Sequence, residues 1–415
     1  MKKWLLWLTT ISMVFCMSAC GDVGGGSSES SSSNSSESST GGNSSSVGNI
    51  EELREYDVYN LNTYLLPYWD SNVVYNETVM FVGADDEAPL LYNPTRIVSV
   101  RNYGLDIEYK EGVDYVIENN KIKRTPNSSI PYFEVDQYYL SSPDSIAIKV
   151  LNDKADTPLT GTRYLKYGEG DTFTRKQIAI TYCHADTWQG TKPQGKSSRL
   201  ANVLTKIKNA DDVNIVYYGD SITTGCNASG TSAGGNVSPY MPGFFNMINE
   251  YLENKYGCFV FSSNTAVAGW TTSQGLAAVE ARVLDKNPDL LVLGFGMNDM
   301  NTPVASYKSM IKSMIDQLHA HNPNANVILV GTTVPNYESD WYGNQEYFVG
   351  ALNELENEYD FVAVADITTM HKDIFAQGKR FRDVTGNNIN HPNDFVVRAY
   401  AQVILQTLLG EDFTV

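Results

Sequence analysis

Ser221, in Tyr218-Gly-Asp-Ser-Ile-Thr, and His391, in Asn390-His-Pro-Asn-Asp, are the residues of this chain best placed to do chemistry together. A serine hydroxyl is a weak nucleophile at neutral pH and needs a base within hydrogen-bond reach, which an imidazole supplies. Val213 to Tyr218 form a short apolar run rich in β-branched residues, the pattern of a buried strand, and the run stops at Gly219, Asp220 and Ser221. A serine just past the end of a buried parallel strand stands where α/β folds put their ligands, with backbone N–H groups free to face an anion. That setting suits an attack that creates an oxyanion. Taken alone, Gly-Asp-Ser also reads as a polar turn with Ser221 capping a helix. His391 follows the Gly/Asn-rich stretch 386–390 and precedes the last helix. His319 and His321 instead close a helix, where positive charge favours the dipole, and His371 sits among Lys and Asp.

Two more stretches fall at strand ends: Gly269 in Ala266-Val-Ala-Gly-Trp and Asn298 in Gly296-Met-Asn-Asp. Together with Gly219-Asp-Ser-Ile-Thr and Asn390-His-Pro, these resemble, in order, the four blocks of the SGNH (GDSL) hydrolase superfamily. The resemblance covers roughly residues 211–410, about half of the chain. It implies a three-layer α/β/α fold, Ser221 as nucleophile and His391 as base. It further implies oxyanion donors at the backbone N–H of Ser221, the backbone N–H of Gly269 and the side-chain amide of Asn298. Acyl transfer through Ser221 would then need no metal and no cofactor, and oxygen esters would be the substrates. The chain departs from the family three residues before the histidine, where many members carry Asp and this one carries Asn388. An amide can orient the imidazole but cannot stabilise the imidazolium as a carboxylate does. Three arrangements stay open: a Ser–His dyad oriented by Asn388 or a backbone carbonyl, an acid from Asp383 or Asp394, or a silent binding protein.

The elements that must position these residues can be read from periodicity. After residue 211, strands are expected at 213–218, 259–264, 289–295, 327–332 and 361–365, and helices near 240–256, 273–286, 304–320, 345–358 and 394–409. Five β–α units imply a parallel, flavodoxin-like sheet covered on both faces. No Gly-x-Gly-x-x-Gly follows a strand, and there is no Gly-x-Ser-x-Gly elbow or Walker loop, so dinucleotide and NTP chemistry drop away. Residues 49–185 carry short alternating runs at 77–82, 96–100, 107–109, 115–117, 145–150 and 176–182 with turn residues between them, which predicts an all-β sandwich. A connecting segment, 186–210, joins it to the α/β domain at 211–415. His184 and Trp188 stand near that junction.

The first 20 residues read as a lipoprotein signal peptide: Lys2-Lys3, an apolar run to Met17, then Ser-Ala-Cys with Cys20 as the lipidated residue. Residues 21–48 hold 13 serines and almost nothing apolar, a tether with a reach of ~30 Å. The expected location is extracellular, with the lipid anchor on a bacterial cell membrane as the one membrane attachment. Cleavage before Cys20 leaves 28 basic against 48 acidic side chains, a net charge of −20. Such a surface repels nucleic acid and anionic headgroups. Cys183, Cys226 and Cys258 remain, with no Cys-x-x-Cys metal spacing. With 26 tyrosines and loop aromatics such as Tyr240, Trp270 and Trp341, an acylated polysaccharide or oligosaccharide is the expected partner, with Asp220 and His184 as further candidate contacts. The expected activity is hydrolysis of O-acyl, chiefly O-acetyl, esters on carbohydrates. The alternatives are a lipid or phospholipid esterase and a non-catalytic glycan-binding surface lipoprotein.

Overall fold

Alternation of apolar and polar residues in the first part of the described chain produces short antiparallel strands. In the computed structural model residues 58–144 and 146–415 are described; the expected signal peptide, Cys20 and the Ser-rich tether lie outside them. The strands are β1 (Val73–Met80), β2 (Glu87–Pro89), β3 (Pro94–Asn102), β4 (Tyr115–Glu118), β5 (Lys121–Arg124), β6 (Tyr139–Leu140), β7 (Ile148–Lys149), β8 (Tyr164–Leu165) and β9 (Gln177–His184). They pair antiparallel as β1-β9-β3, β2-β5-β4 and β6-β8-β7. Asn119 and Asn120, at φ 50° and 62°, close the β4–β5 hairpin with the left-handed pair that a two-residue turn needs. The strand expected at 107–109 shrinks to a single bridge between Glu108 and Arg101. There the Asn102 side chain captures the N–H groups of Asp106 and Ile107 at 3.1 and 2.9 Å, making a turn where alternation had read as a strand.

Downstream, five parallel strands follow: β10 (Val213–Gly219), β11 (Val260–Asn264), β12 (Leu290–Gly294), β13 (Asn326–Val330) and β14 (Val362–Ala365). Their order, β11-β10-β12-β13-β14, is that of a flavodoxin-like sheet. The period of two sorts their side chains. Val216, Tyr218, Leu291, Leu293, Val327 and Leu329 face the core under helices Val304–His321 and Phe348–Glu358. Ile215, Tyr217, Leu290, Val292, Ile328 and Val330 face the core under helices Phe244–Tyr256 and Asp394–Leu409. The expected helix at 273–286 is broken into Thr272–Ala277, Val279–Arg282 and the short turn Leu284–Lys286. Ala278 and Val283 leave helical geometry at the breaks, and Gly275 lies where a Cβ would fall 2.5 Å from the Phe295 ring.

Helix Asp394–Leu409 is buried along nearly its whole length. The sheet covers one side, and the antiparallel strands share the core on the other through Val74, Val79, Phe81, Ile178 and Ile180. The fully buried Arg398 donates from Nε to the Tyr68 hydroxyl at 2.8 Å and from Nη2 to the Tyr75 carbonyl. The antiparallel region is therefore packed into the structure that carries His391.

Candidate active site

Ser221 begins the turn that follows β10, at the C-terminal edge of the parallel sheet. Gly219 is the last strand residue, and nothing larger fits there: a Cβ would meet the Gly294 carbonyl oxygen at 2.2 Å. Asp220 donates its N–H to Gly294 at 3.4 Å and accepts from the N–H of Ile222 at 3.0 Å, which fixes the turn. Ser221 is 4% exposed. Its Oγ lies 2.8 Å from His391 Nε2.

His391 is held by its own loop. The Asn387 carboxamide oxygen accepts from the N–H groups of Ile389, Asn390 and His391, each at 3.0 Å. Gly386 N–H and Thr385 Oγ1 donate to the His391 carbonyl at 2.9 and 3.0 Å. On the far side of the ring, Nδ1 faces Asn227 Oδ1 at 2.7 Å and Glu169 Oε2 at 3.2 Å. Two oxygen acceptors there call for a proton on Nδ1, which leaves Nε2 with a lone pair toward the Ser221 hydroxyl. Burial pushes the Glu169 carboxyl up, but the hydrogen bond and charge of His391, with bonds from Tyr167 and Asn387, bring it down to about 2.

None of the side chains weighed from sequence as the third member reaches the imidazole. Asn388 accepts from the Tyr138 hydroxyl at 2.8 Å and donates to the Lys166 carbonyl at 3.0 Å, so its amide is used up against the antiparallel region. Asp383 is buried and bound by Arg380 and by the N–H of Met80. Asp394 accepts from the N–H of Ser229 at 2.8 Å. Asn227 and Glu169 take the position instead. Sequence reasoning missed both, and the one available signal was an amide standing where a carboxylate was expected.

Gly269 and Asn298 follow the strands that flank β10. Val267 donates to the Gly219 carbonyl at 3.0 Å, so the β11 segment runs on beside the nucleophile turn before Gly269 turns away at φ 79°. No atom lies within 4 Å of where a Cβ of Gly269 would be, which leaves its backbone approachable. Asn298 Nδ2 donates to the Trp270 carbonyl at 3.0 Å, tying the two donor loops together. Asp299 braces this corner by accepting from Thr272 N–H and Oγ1 at 3.0 and 2.8 Å. Among the described residues no backbone carbonyl is paired with the N–H of Ser221 or of Gly269.

The weaker contact candidates divide. Trp270 is half-buried beside Gly269, with the Arg282 guanidinium 5.3 Å over its ring, and Tyr240 is 55% exposed on the loop after the nucleophile turn. Trp341 packs partly buried with Ile389, two residues from His391. Asp220 is buried with its carboxylate bound to backbone, so it cannot touch a substrate. His184 is also removed from that role: it is buried and stacked on Tyr92 at 3.8 Å.

Burial pushes the Asp220 carboxyl up to about 7, against hydrogen bonds from Ile222 and Met297 and the charge of His391. Burial likewise raises Glu338 to about 7 and Asp394 to about 6. In the unfolded chain such groups ionise near about 4, so between there and neutrality the folded state binds more protons and stability falls as pH rises. Urea unfolding midpoints are expected to decline from pH 5 to pH 8, with a flatter slope in Asp220→Asn. Glu169 has the opposite sign, its contribution being lost only as pH falls from about 4 towards its folded value of about 2.

The sequence profile of the GDSL-like Lipase/Acylhydrolase family matches residues 217–396. An uncharacterized protein of Mycoplasma pneumoniae is 27% identical over 196 residues, which is 44% of this chain and 20% of the relative, so the chain spans about a fifth of that protein. A two-domain esterase active on acetylated mannans, solved with mannopentaose, aligns with a TM-score of 0.41 and 21% identity over 51% of this chain and 53% of its own. An acetylxylan esterase from Geobacillus stearothermophilus aligns with a TM-score of 0.40 and 16% identity, covering 49% of this chain and 95% of its own.

Proposed function

We propose that the chain is a serine esterase removing small O-acyl groups, acetyl above all, from carbohydrates, a reading supported by the match of residues 217–396 to the GDSL-like Lipase/Acylhydrolase family. The observation that carries the proposal is the 2.8 Å contact between Ser221 Oγ and His391 Nε2, at a sheet edge flanked by the Gly269 and Asn298 loops.

In this reading Ser221 Oγ attacks the acyl carbon while His391 Nε2 takes its proton. The oxyanion faces the N–H groups of Ser221 and Gly269 and the carboxamide of Asn298, each donor being worth about 3 kcal/mol in the transition state. Collapse expels the sugar oxygen, which receives the proton from His391. A water then gives a proton to His391 and attacks the acyl-Ser221 ester; His391 passes that proton to Ser221 Oγ as the carboxylic acid leaves, which restores the serine and the neutral imidazole. The small acyl group is supported by the site's surroundings. Gly269 and Ala268 are exposed, and Asn298, Asn390 and Trp270 are half-buried, a rim of small and polar groups with one aromatic face. The reading of residues 1–48 as signal peptide, lipidated Cys20 and tether extends the proposal to an anchored enzyme on the outer face of a bacterial membrane, sampling nearby polymer.

The test is acyl-chain selectivity. p-Nitrophenyl acetate is expected to be turned over with higher kcat/KM than the octanoate, and acetate is expected to be released from acetylated xylan or mannan. A preference for long chains or phospholipids would move the reading to a lipid esterase. Glycan binding without turnover, unchanged in Ser221→Ala, would make the chain a binding protein.

A further inference from the structure

We propose that Glu169, supplied by the antiparallel region, is the carboxylate that positions His391 and balances its positive charge, so that this region completes the catalytic centre. The inference rests on the esterase reading for its kinetic consequences and on geometry for its assignment.

Glu169 lies between β8 and β9, 222 residues before His391 in the chain, yet its Oε2 stands 3.2 Å from His391 Nδ1. Its other oxygen accepts from Asn387 Nδ2 at 3.1 Å and from the Tyr167 hydroxyl. The turn that carries it is held by the loop after the nucleophile: Gly170 N–H donates to the Ala233 carbonyl at 3.1 Å, and Asn227 Nδ2 donates to the Gly170 carbonyl at 3.4 Å. Asn227 thus touches both partners, with Oδ1 on His391 Nδ1 at 2.7 Å and Nδ2 on the Glu169 turn. The two groups divide the work. The neutral amide fixes ring orientation and tautomer, and the carboxylate opposes the charge that develops when Nε2 takes the Ser221 proton.

Asn388 explains why the acid comes from elsewhere. Its Nδ2 donates to the carbonyl of Lys166, three residues before Glu169, while its Oδ1 accepts from Tyr138. An ionised Asp cannot make that donation. The residue three before the histidine therefore latches the segment that delivers the carboxylate. At 41% side-chain exposure, Glu169 keeps one edge toward solvent and carries its charge without the full cost of burial.

The experiment compares wild type, Glu169→Gln and Glu169→Ala on p-nitrophenyl acetate across pH. Glu169→Gln keeps the shape and removes the charge. We expect kcat to fall roughly 10²-fold or more, KM to stay close to wild type and the melting temperature to hold. The carboxylate favours the protonated ring, so its loss moves the acid limb of the kcat/KM profile to lower pH. Asp220, the other acid facing His391, is unchanged in both variants. Formate is expected to restore part of the turnover of Glu169→Ala. Activity within about threefold of wild type with an unmoved limb overturns the assignment, because loss of a triad carboxylate is far costlier. Loss that tracks a lowered melting temperature, with no limb shift and no rescue, also overturns it. If wild type hydrolyses no ester, the esterase reading fails alone, and NMR titration of the His391 ring decides the inference. A lower midpoint in Glu169→Gln supports it, and an unchanged midpoint overturns it.

Discussion

Ser221→Ala is expected to lower kcat on p-nitrophenyl acetate by about 10⁴-fold or more while the protein stays folded. The size follows from the role. Without the hydroxyl no acyl-enzyme can form, and the turnover that remains comes from the oxyanion donors acting on water. His391→Ala is expected to cost a similar amount, and the double variant little more than either, because the two groups act as one unit. The fold should hold because Ser221 Oγ is bonded to His391 rather than to the scaffold around the turn, which Asp220 and Gly219 maintain. Steady-state kinetics with circular dichroism on the same preparations checks both halves. Near-additive losses would show that serine and histidine act separately.

The second large effect is on stability. Lys379 and Glu77 have fully buried side chains, with Nζ 2.6 Å from Oε1. Lys379 also donates to the carbonyls of Thr78 and Pro89 at 2.9 and 3.1 Å. Glu77 in turn accepts from the Leu91 N–H at 2.9 Å and the Tyr182 hydroxyl at 2.6 Å. Every charge in the cluster is matched, and the cluster ties β1 to the segment that leads into the His391 loop. Lys379→Ala leaves an unmatched buried carboxylate and is expected to cost about 3–5 kcal/mol in urea unfolding. Replacing both partners with apolar side chains of similar volume is expected to cost far less, since it removes the desolvated charges together. A Lys379→Ala loss below about 1 kcal/mol, the range of an exposed pair, would show that the pair is solvated in solution.

Much of the fold was legible because its signals are local. The runs that became β10, β12 and β13 are apolar on both faces, as strands buried under two helical layers must be, and their ends announced Ser221 and Asn298. The helix Ile367–Ala376 is not among the periodic stretches legible in the sequence, although Asp366 caps it, accepting from Thr369 N–H at 2.8 Å. Its mixed sequence hides the apolar stripe that the cap would have revealed. The Ser221–His391 pairing could be placed from motif and loop composition. The far side of the imidazole could not, because Glu169 and Asn227 reach it only through the docking of the antiparallel region onto two loops distant in sequence. Asn388 misled for a related reason. Spacing from the histidine marked the position, but its side chain spends both its donor and its acceptor on Tyr138 and Lys166. Burial also settled Asp220 and His184, whose polar side chains look available in sequence and are enclosed in the fold.

Turnover is expected to pass through an ester on Ser221. Labelling with a fluorophosphonate, followed by mass mapping of the digested peptides, tests it most directly. One adduct per chain is expected on the peptide that contains Ser221, with esterase activity lost in step with its formation and no labelling in His391→Ala. An adduct on a different residue, or ester hydrolysis that survives complete labelling, would contradict it.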